Sequence, residues 1–451
     1  MNIHFIAIGG AIMHALALSM KEKGYQVSGS DDLIFDPAKN NLEKAGLLPK
    51  EYGFFEENIH EGLDAVILGM HARKDNIELI KAQKLGIKIY SFPEYIYENS
   101  KDKKRIVVSG SHGKTSITSM IMHVLQYAGL EFDYVVGSQL KGFRTNVKIS
   151  NTAPIIVIEG DEYLSSAIHY EPKFLSYKPH IAIMTGIAWD HINVFPVYED
   201  YVKQFLLFAE TIEKNGVLIY NEEDSEVCRV EKMIQNPIRK TAYKTPEFVI
   251  EEDVSQLFFE GKKIPLKVIG THNLQNLMSA KYACIEAGIS EAVFYEAIQS
   301  FEGALNRLNL IAKNNHTAIY KDFAHSPSKL TATVTAVKKQ YKSRKLVAVM
   351  ELHTYSSLNK DFLHEYAHSM DEADEAIVFF SPTIVALKKL PTIDENDIRK
   401  GFERENIMVL SDKNELENIL LSKDWTDKNL LMMSSGNFDG LDLKALSEKI
   451  V

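Results

Sequence analysis

Residues 109–116 read Ser-Gly-Ser-His-Gly-Lys-Thr-Ser and carry the strongest chemical signal in the chain. Two glycines this close let the backbone curl until successive N–H groups face one oxyanion, and a helix starting there adds its positive end. Gly110, Ser111, His112, Gly113 and Ser116 would form a phosphate cradle. Lys114 would reach the terminal phosphates and the Thr115 hydroxyl would ligand Mg²⁺. The general pattern sets its first glycine five residues before the second; Val108 stands there, so the loop is a shortened variant. A strand–helix turn with a surface lysine is the plain alternative.

A magnesium ion at such a loop needs oxygen or imidazole ligands. Glu159-Gly160-Asp161-Glu162 follows an apolar run at 155–158, and Asp190-His191 follows another at 180–185. Both leave a strand at its C-terminal end, where open α/β sheets bind ligands. Singly they say little: acidic turns are usually solvated, and His191 alone could be a hydrogen-bonded core histidine. With the loop they make a coherent Mg²⁺–ATP constellation, in which the ion neutralises phosphate charge.

The elements that must hold these groups follow from periodicity. A strand over 3–8, a turn at Gly9-Gly10 and a helix over 12–23 closed by Gly24 begin the chain. Strands at 25–29, 64–69 and 87–90 and a helix over 76–85 continue it to a polar linker at 99–104. The alternation restarts with a strand at 105–109 and a helix to about 128, then short strands at 154–159 and 180–185 and helices over 198–212 and 274–287. Residues 241–270 look like short mixed strands. Further strands fall at 317–320, 346–350, 375–380 and 430–433. Strands alternating with helices imply parallel sheets, here three α/β domains in series over 1–100, 101–302 and 303–451.

Composition agrees with a folded chain of that size. Of 451 residues, 45% are hydrophobic and 25% charged, which excludes wholesale disorder. Lys and Arg total 51 against 61 Asp and Glu, a net charge of −10 with no basic block, which argues against nucleic acid as a partner. Two cysteines, Cys228 and Cys284, cannot build a disulfide framework, so a reducing cytoplasm is the expected setting. Residues 3–20 lack charge, but histidines and Gly9-Gly10 interrupt them; no membrane insertion is expected.

The ordered motifs resemble those of the Mur ligases, ATP-dependent amide-bond-forming enzymes of bacterial cell-wall synthesis. The resemblance starts at Ile8-Gly9-Gly10 and Ser-Gly-Ser-Asp at 28–31. It runs through Gly-Ser-His-Gly-Lys-Thr at 110–115, Glu-Gly-Asp-Glu at 159–162, Asp-His at 190–191 and Gly-Thr-His-Asn-Leu-Gln-Asn at 270–276. It ends with Arg307, Asp-Phe-Ala-His-Ser-Pro at 322–327 and Ser-Ser-Gly-Asn-Phe at 434–438. The family implies a Rossmann-like UDP-binding domain, a central P-loop ATPase-like domain and a C-terminal Rossmann-like α/β domain. Gly9, Gly10, Ser30, Asp31 and His71 would line the UDP site. Lys114 would bind ATP, Thr115 and Glu159 one Mg²⁺, and His191 a second. His272, Asn273 and Asn276 match the adenine-side segment, Arg307 lies at the central-to-C-terminal junction, and Asp322 and His325 would meet the nucleotide as the third domain closes on hinges near 100 and 303. The catalytic set implied is Lys114, His191 and Arg307.

Glu-Gly-Asp-Glu-Tyr, Asp-Phe-Ala-His and Met-Ser-Ser-Gly are similar to the recycling branch. That branch joins UDP-N-acetylmuramate to the tripeptide L-alanyl-γ-D-glutamyl-meso-diaminopimelate; the branch adding L-alanine alone is the alternative. Departures bear on this choice. Gly186 and Ala188 stand upstream of Asp190 where Asn and Glu are frequent, Asn306 precedes Arg307, Lys321 precedes Asp322, and 351–357 (Glu-Leu-His-Thr-Tyr-Ser-Ser) lacks an arginine for an amino-acid carboxylate. Two other readings compete. A nicotinamide-dependent dehydrogenase would use Asp31, 21 residues after Gly10, for ribose, but leaves the second loop unexplained. A nucleotide-binding regulator would keep the fold without turnover.

Overall fold

The computed structural model describes residues 1–451 apart from 139, 141, 167, 190–193, 305 and 306. The chain forms two compact units, one of residues 1–245 with 275–298, the other of 246–274 with 299–451.

The first unit holds two sheets. Four parallel strands stand in the order Gln26–Ser30, Asn2–Ile6, Ala65–Leu68, Ile89–Ser91. The uncharged opening stretch is thus a central buried strand followed by the helix Ala11–Glu22, one face of which packs Met13, Leu16, Ala17 and Met20 into the core. The second sheet has seven strands in the order Arg239–Tyr243, Val217–Asn221, Ile181–Met184, Lys104–Ser109, Ile155–Glu159, Phe132–Val135, Val147–Lys148; only the last pairing is antiparallel. Lys104–Ser109 therefore lies at the centre, flanked by the two strands whose ends carry Glu159 and Thr185. Among the described residues no helix is long and apolar enough to cross a membrane.

The stretch read as a polar linker is tightly bonded. Arg105 is 2% exposed, and its guanidinium donates to the carbonyls of Ser100 (2.8 Å), Lys101 (3.0 Å), Lys103 (3.4 Å) and Lys178 (2.9 Å), and to Glu213 (2.9 Å). The Tyr97 ring lies 5.2 Å from it. Beside it, Lys103 Nζ donates to Asp133 at 2.6 Å and to the carbonyls of Ser150 and Ala153, deep in the sheet's edge.

The second unit holds a six-stranded sheet in the order Asn309–Lys313, Ala318–Asp322, Lys428–Met433, Lys345–Leu352, Glu375–Phe380, Met408–Leu410, parallel except for the first pairing. The short mixed strands expected before residue 270 are Arg239–Tyr243, which belongs to the seven-stranded sheet, and an antiparallel sheet of Phe248–Glu251, Val254–Phe259 and Lys262–Leu266. That small sheet is tied to the helix Pro327–Gln340 through Ser255 Oγ, which donates to Gln340 at 2.8 Å. Cys228 and Cys284 are both free, the second fully buried.

Candidate functional site

The central strand Lys104–Ser109 ends in the glycine loop and restarts as the helix Lys114–Tyr127, which is the geometry an oxyanion cradle needs. Gly113 caps that helix with φ +77°, and a Cβ there would sit 2.3 Å from Asn276 Oδ1. Gly110 has φ +125°, and a Cβ there would sit 2.0 Å from Thr185 Oγ1. Both the backbone conformation and the space demand glycine. The loop is clamped from the next strand: Thr185 Oγ1 donates to His112 O at 2.5 Å, Ser111 N to Gly186 O at 2.9 Å, and Ala188 N to Ser111 Oγ at 2.9 Å. Gly110→Ala should therefore destabilise the first unit by roughly 1–3 kcal/mol, from strain and overpacking. Thermal melting checks this, and an unchanged midpoint contradicts it.

Lys114 Nζ donates to Gly110 O at 2.7 Å and to Glu162 Oε2 at 2.7 Å. Burial alone would lower this ammonium's pKa, but the Glu162 and then the Asp161 carboxylates hold it above the ordinary lysine range. It is a fixed cation at neutral pH. Thr115 Oγ1 donates to Glu159 Oε1 at 2.8 Å, and Glu159 Oε2 accepts from Gly137 N at 2.9 Å. A hydroxyl and a carboxylate side by side at a phosphate cradle suit a hard divalent ion that keeps water and phosphate as its other ligands. Among the described residues no group of three or more His, Cys, Asp or Glu makes a protein-only metal cage. Asp190 and His191 lie outside the described residues. Ser116 is buried in the first turn of the helix, and His112 is half-buried with Nδ1 3.0 Å from Ser111 Oγ.

At the first sheet, Gly9 N donates to Asp31 Oδ2 at 2.7 Å, tying the first glycine turn to the end of Gln26–Ser30. Burial raises the Asp31 carboxyl above its ordinary range; the Gly9 N–H opposes this and neighbouring Asp32 adds to it. Gly10 begins the helix Ala11–Glu22. Ser30 turns its hydroxyl inward to Glu78. His71 is exposed on the loop after Ala65–Leu68, which leaves the sheet where Gly69 N donates to Ile6 O. Gly9, Gly10, Ser30 and Asp31 are thus gathered at the carboxyl end of this sheet.

The second unit gathers another set. Arg307 lies 4.9 Å from the Phe323 ring, His325 meets that ring edge-on at 5.1 Å, and His325 Nδ1 is 2.8 Å from Phe323 O. Asp322 accepts from Thr333 Oγ1 at 2.6 Å. Burial lowers the His272 imidazole pKa and the Asp322 charge opposes that. Asn273 Nδ2 donates to Ile269 O, while Asn276 belongs to the first unit, against Gly113. Sequence reasoning placed Glu162 only in the acidic turn, not as the partner of Lys114, and marked neither Phe323 nor Thr185 as a site residue. An aromatic enclosed by Asp-Phe-Ala-His and a carboxylate in the acidic turn were the available signals; nothing marked Thr185.

Three family models match in order: "Mur ligase family, catalytic domain" over 2–104, "Mur ligase middle domain" over 108–284, and "Mur ligase, glutamate ligase domain" over 306–436. A UDP-N-acetylmuramate–L-alanine ligase of Sulfurihydrogenibium sp. (strain YO3AOP1) is 30% identical, covering 99% of this chain and 98% of its own length. The chain belongs to the Mur ligase family, with its three-domain α/β architecture, and is an ATP-dependent, C–N bond-forming ligase of peptidoglycan synthesis of the kind that uses Mg²⁺. Two solved structures share the fold. One is a UDP-N-acetylmuramate–alanine ligase from Thermotoga maritima (TM-score 0.71, 21% identity, 100% of this chain and 98% of that one). The other is a murein peptide ligase from Psychrobacter arcticus 273-4 (TM-score 0.64, 23% identity, 99% of each).

Proposed function

We propose that this ligase joins the lactyl carboxylate of UDP-N-acetylmuramate to the amine of L-alanyl-γ-D-glutamyl-meso-diaminopimelate, as a peptidoglycan-recycling enzyme of the cytoplasm. A carboxylate is inert to amines because oxide leaves poorly. Transfer of the ATP γ-phosphate to that carboxylate gives an acyl phosphate and ADP. The free amine then attacks the carbonyl, and the tetrahedral adduct collapses with loss of inorganic phosphate and a proton.

Donor and acceptor are both anions, so the chain's task is to supply cations and N–H groups. The observation that carries the reading is the glycine loop with Lys114 fixed at its mouth and Thr115 on Glu159. In this assignment 110–116 cradle ATP, Lys114 holds its terminal phosphates, and His272, Asn273, Asn276, Asp322 and His325 serve the nucleoside. Gly9, Gly10, Ser30, Asp31 and His71 serve the UDP moiety, and Arg307 and His191 complete the catalytic set. Thr115, Glu159 and His191 would hold two Mg²⁺ ions, whose contribution is to neutralise charge on the transferring phosphoryl group. The three segments doing this are 1–100, 101–302 and 303–451.

The choice of tripeptide over alanine rests on the likeness of Glu-Gly-Asp-Glu-Tyr at 159–163, Asp-Phe-Ala-His at 322–325 and Met-Ser-Ser-Gly at 433–436 to the recycling branch, and the segment 351–357 agrees with it. A lone amino acid presents a carboxylate beside its amine and calls for a cation. Here the buried Glu351 accepts from Phe438 N at 2.9 Å and from Ser434 Oγ, with His353 Nδ1 3.5 Å away, and the segment has no arginine. L-Alanine is the second reading, favoured by the name of the Sulfurihydrogenibium relative. With ATP, Mg²⁺ and UDP-N-acetylmuramate supplied, phosphate release should be far faster with the tripeptide than with L-alanine. The reverse preference overturns the assignment of the amine.

A further inference from the structure

The candidate UDP-binding residues sit on a buried carboxylate that none of the motifs includes. Glu78, in the first turn of the helix Ile77–Lys84, is fully buried, and its own N–H is fixed by the capping Asn76 at 2.9 Å. One carboxylate oxygen accepts from Phe55 N at 2.9 Å and Asn58 Nδ2 at 2.7 Å. The other accepts from Ser30 Oγ and lies 3.3 Å from His4 Nε2, whose Nδ1 is 2.8 Å from Ser28 Oγ. Burial pushes this carboxyl's pKa up, but the bonds from His4, Ser30, Asn58 and Phe55 outweigh it and hold it below its usual range. The buried group is thus an ionised carboxylate with both oxygens engaged.

What the carboxylate grips is the frame of Asp31. Ser30 precedes Asp31, and Ser30 O accepts from Ile8 N at 3.0 Å. On the other side Asp31 O accepts from Gly53 N at 2.7 Å, two residues before Phe55. Asp31 Oδ2 in turn receives the Gly9 N–H. Both flanks of the segment that places Asp31 against the first glycine turn therefore converge on one side chain, with no exposed atom to touch a ligand. We infer that Glu78 is the positioning residue of the UDP-sugar site, acting through Ser30 and the 55–58 turn to set Asp31 and Gly9. The inference rests on the UDP assignment proposed above.

Glu78→Ala should weaken UDP-N-acetylmuramate binding, measured by titration calorimetry, by about tenfold or more, the scale of effects seen when groups supporting a site are removed. ATP affinity, and kcat at saturating UDP-sugar, should stay within about twofold, because the glycine loop at 110–116 is built on a different sheet. Glu78→Gln keeps the shape. Its carbonyl can accept from Phe55 and Asn58 while its amide donates to Ser30 Oγ and a neutral His4, so affinity should largely return. A Glu78→Ala protein that binds UDP-N-acetylmuramate like wild type, or loses ATP affinity equally, overturns the inference. If Glu78→Ala does not fold, Asn58→Ala removes one donor and should weaken the same ligand alone; unchanged affinity there is equally fatal. A wild-type protein that does not bind UDP-N-acetylmuramate overturns the functional reading, and this inference with it.

Discussion

Lys114→Ala should reduce ADP release about a hundred- to a thousandfold, the scale at which loss of one preorganised charge donor is felt in phosphoryl and acyl transfer. The measurement is substrate-dependent ADP formation by a coupled assay, and near-normal turnover would remove the ATP assignment. Stability must be separated from chemistry, because Glu162 is 1% exposed and accepts from Lys114 Nζ at 2.7 Å. Withdrawing the ammonium from a buried carboxylate destabilises by about 3–5 kcal/mol. Lys114→Ala combined with Glu162→Gln should recover much of the melting temperature and none of the turnover. Recovery of both would mean that the lysine is structural. The raised pKa of Lys114 fixes the sign of its pH effect: its stabilising charge is complete below the unfolded lysine pKa and is lost only as pH rises through the higher folded value.

Asp133→Ala is expected to give the largest loss of stability outside the site. Asp133 is 0% exposed and Lys103 is 8% exposed by side chain, with 2.6 Å between Nζ and Oδ2. Asp133 Oδ2 also receives Ser150 N at 2.9 Å. Removing the carboxylate leaves a buried ammonium held, among the described residues, by two carbonyls, at a cost of about 3–5 kcal/mol in denaturant unfolding of the first unit. Replacing both partners, as in Lys103→Met with Asp133→Leu, should be much milder, because no buried charge then remains. A single-variant loss below about 1 kcal/mol would show that the pair is well hydrated.

These same residues explain what was and was not legible in the sequence. The glycine loop could be read because its chemistry is local: the positive φ of Gly110 and Gly113 and the lysine and threonine that follow are adjacent in the chain. The parallel strands could be read because burial on both faces leaves continuous apolar runs such as 155–158. Phe132–Val135 escaped notice because Asp133 looks like a solvent residue until Lys103 arrives from 30 positions away. Glu78 escaped for the same reason, its donors coming from residues 4, 30, 55 and 58. The small sheet within 246–274 was blurred because its strands are half-covered; Lys262–Leu266 carries two lysines and a proline. Phe323 went unmarked because its value lies in the company of Arg307 and His325, a contact that only the folded chain makes.

The fan of bonds around Arg105 bears on how the segments before and after residue 100 can be recombined. Four of its acceptors are main-chain oxygens, which every sequence provides, so the grip depends little on the identities of residues 100, 101, 103 and 178. Among the described residues, the side chains that meet the guanidinium are Glu213 and Tyr97. A chimera that replaces residues 1–100 with a foreign counterpart should tolerate a seam at residue 100 provided the arginine is kept and an aromatic ring is matched at 97. Losing the arginine would turn a stiff splice into a slack one.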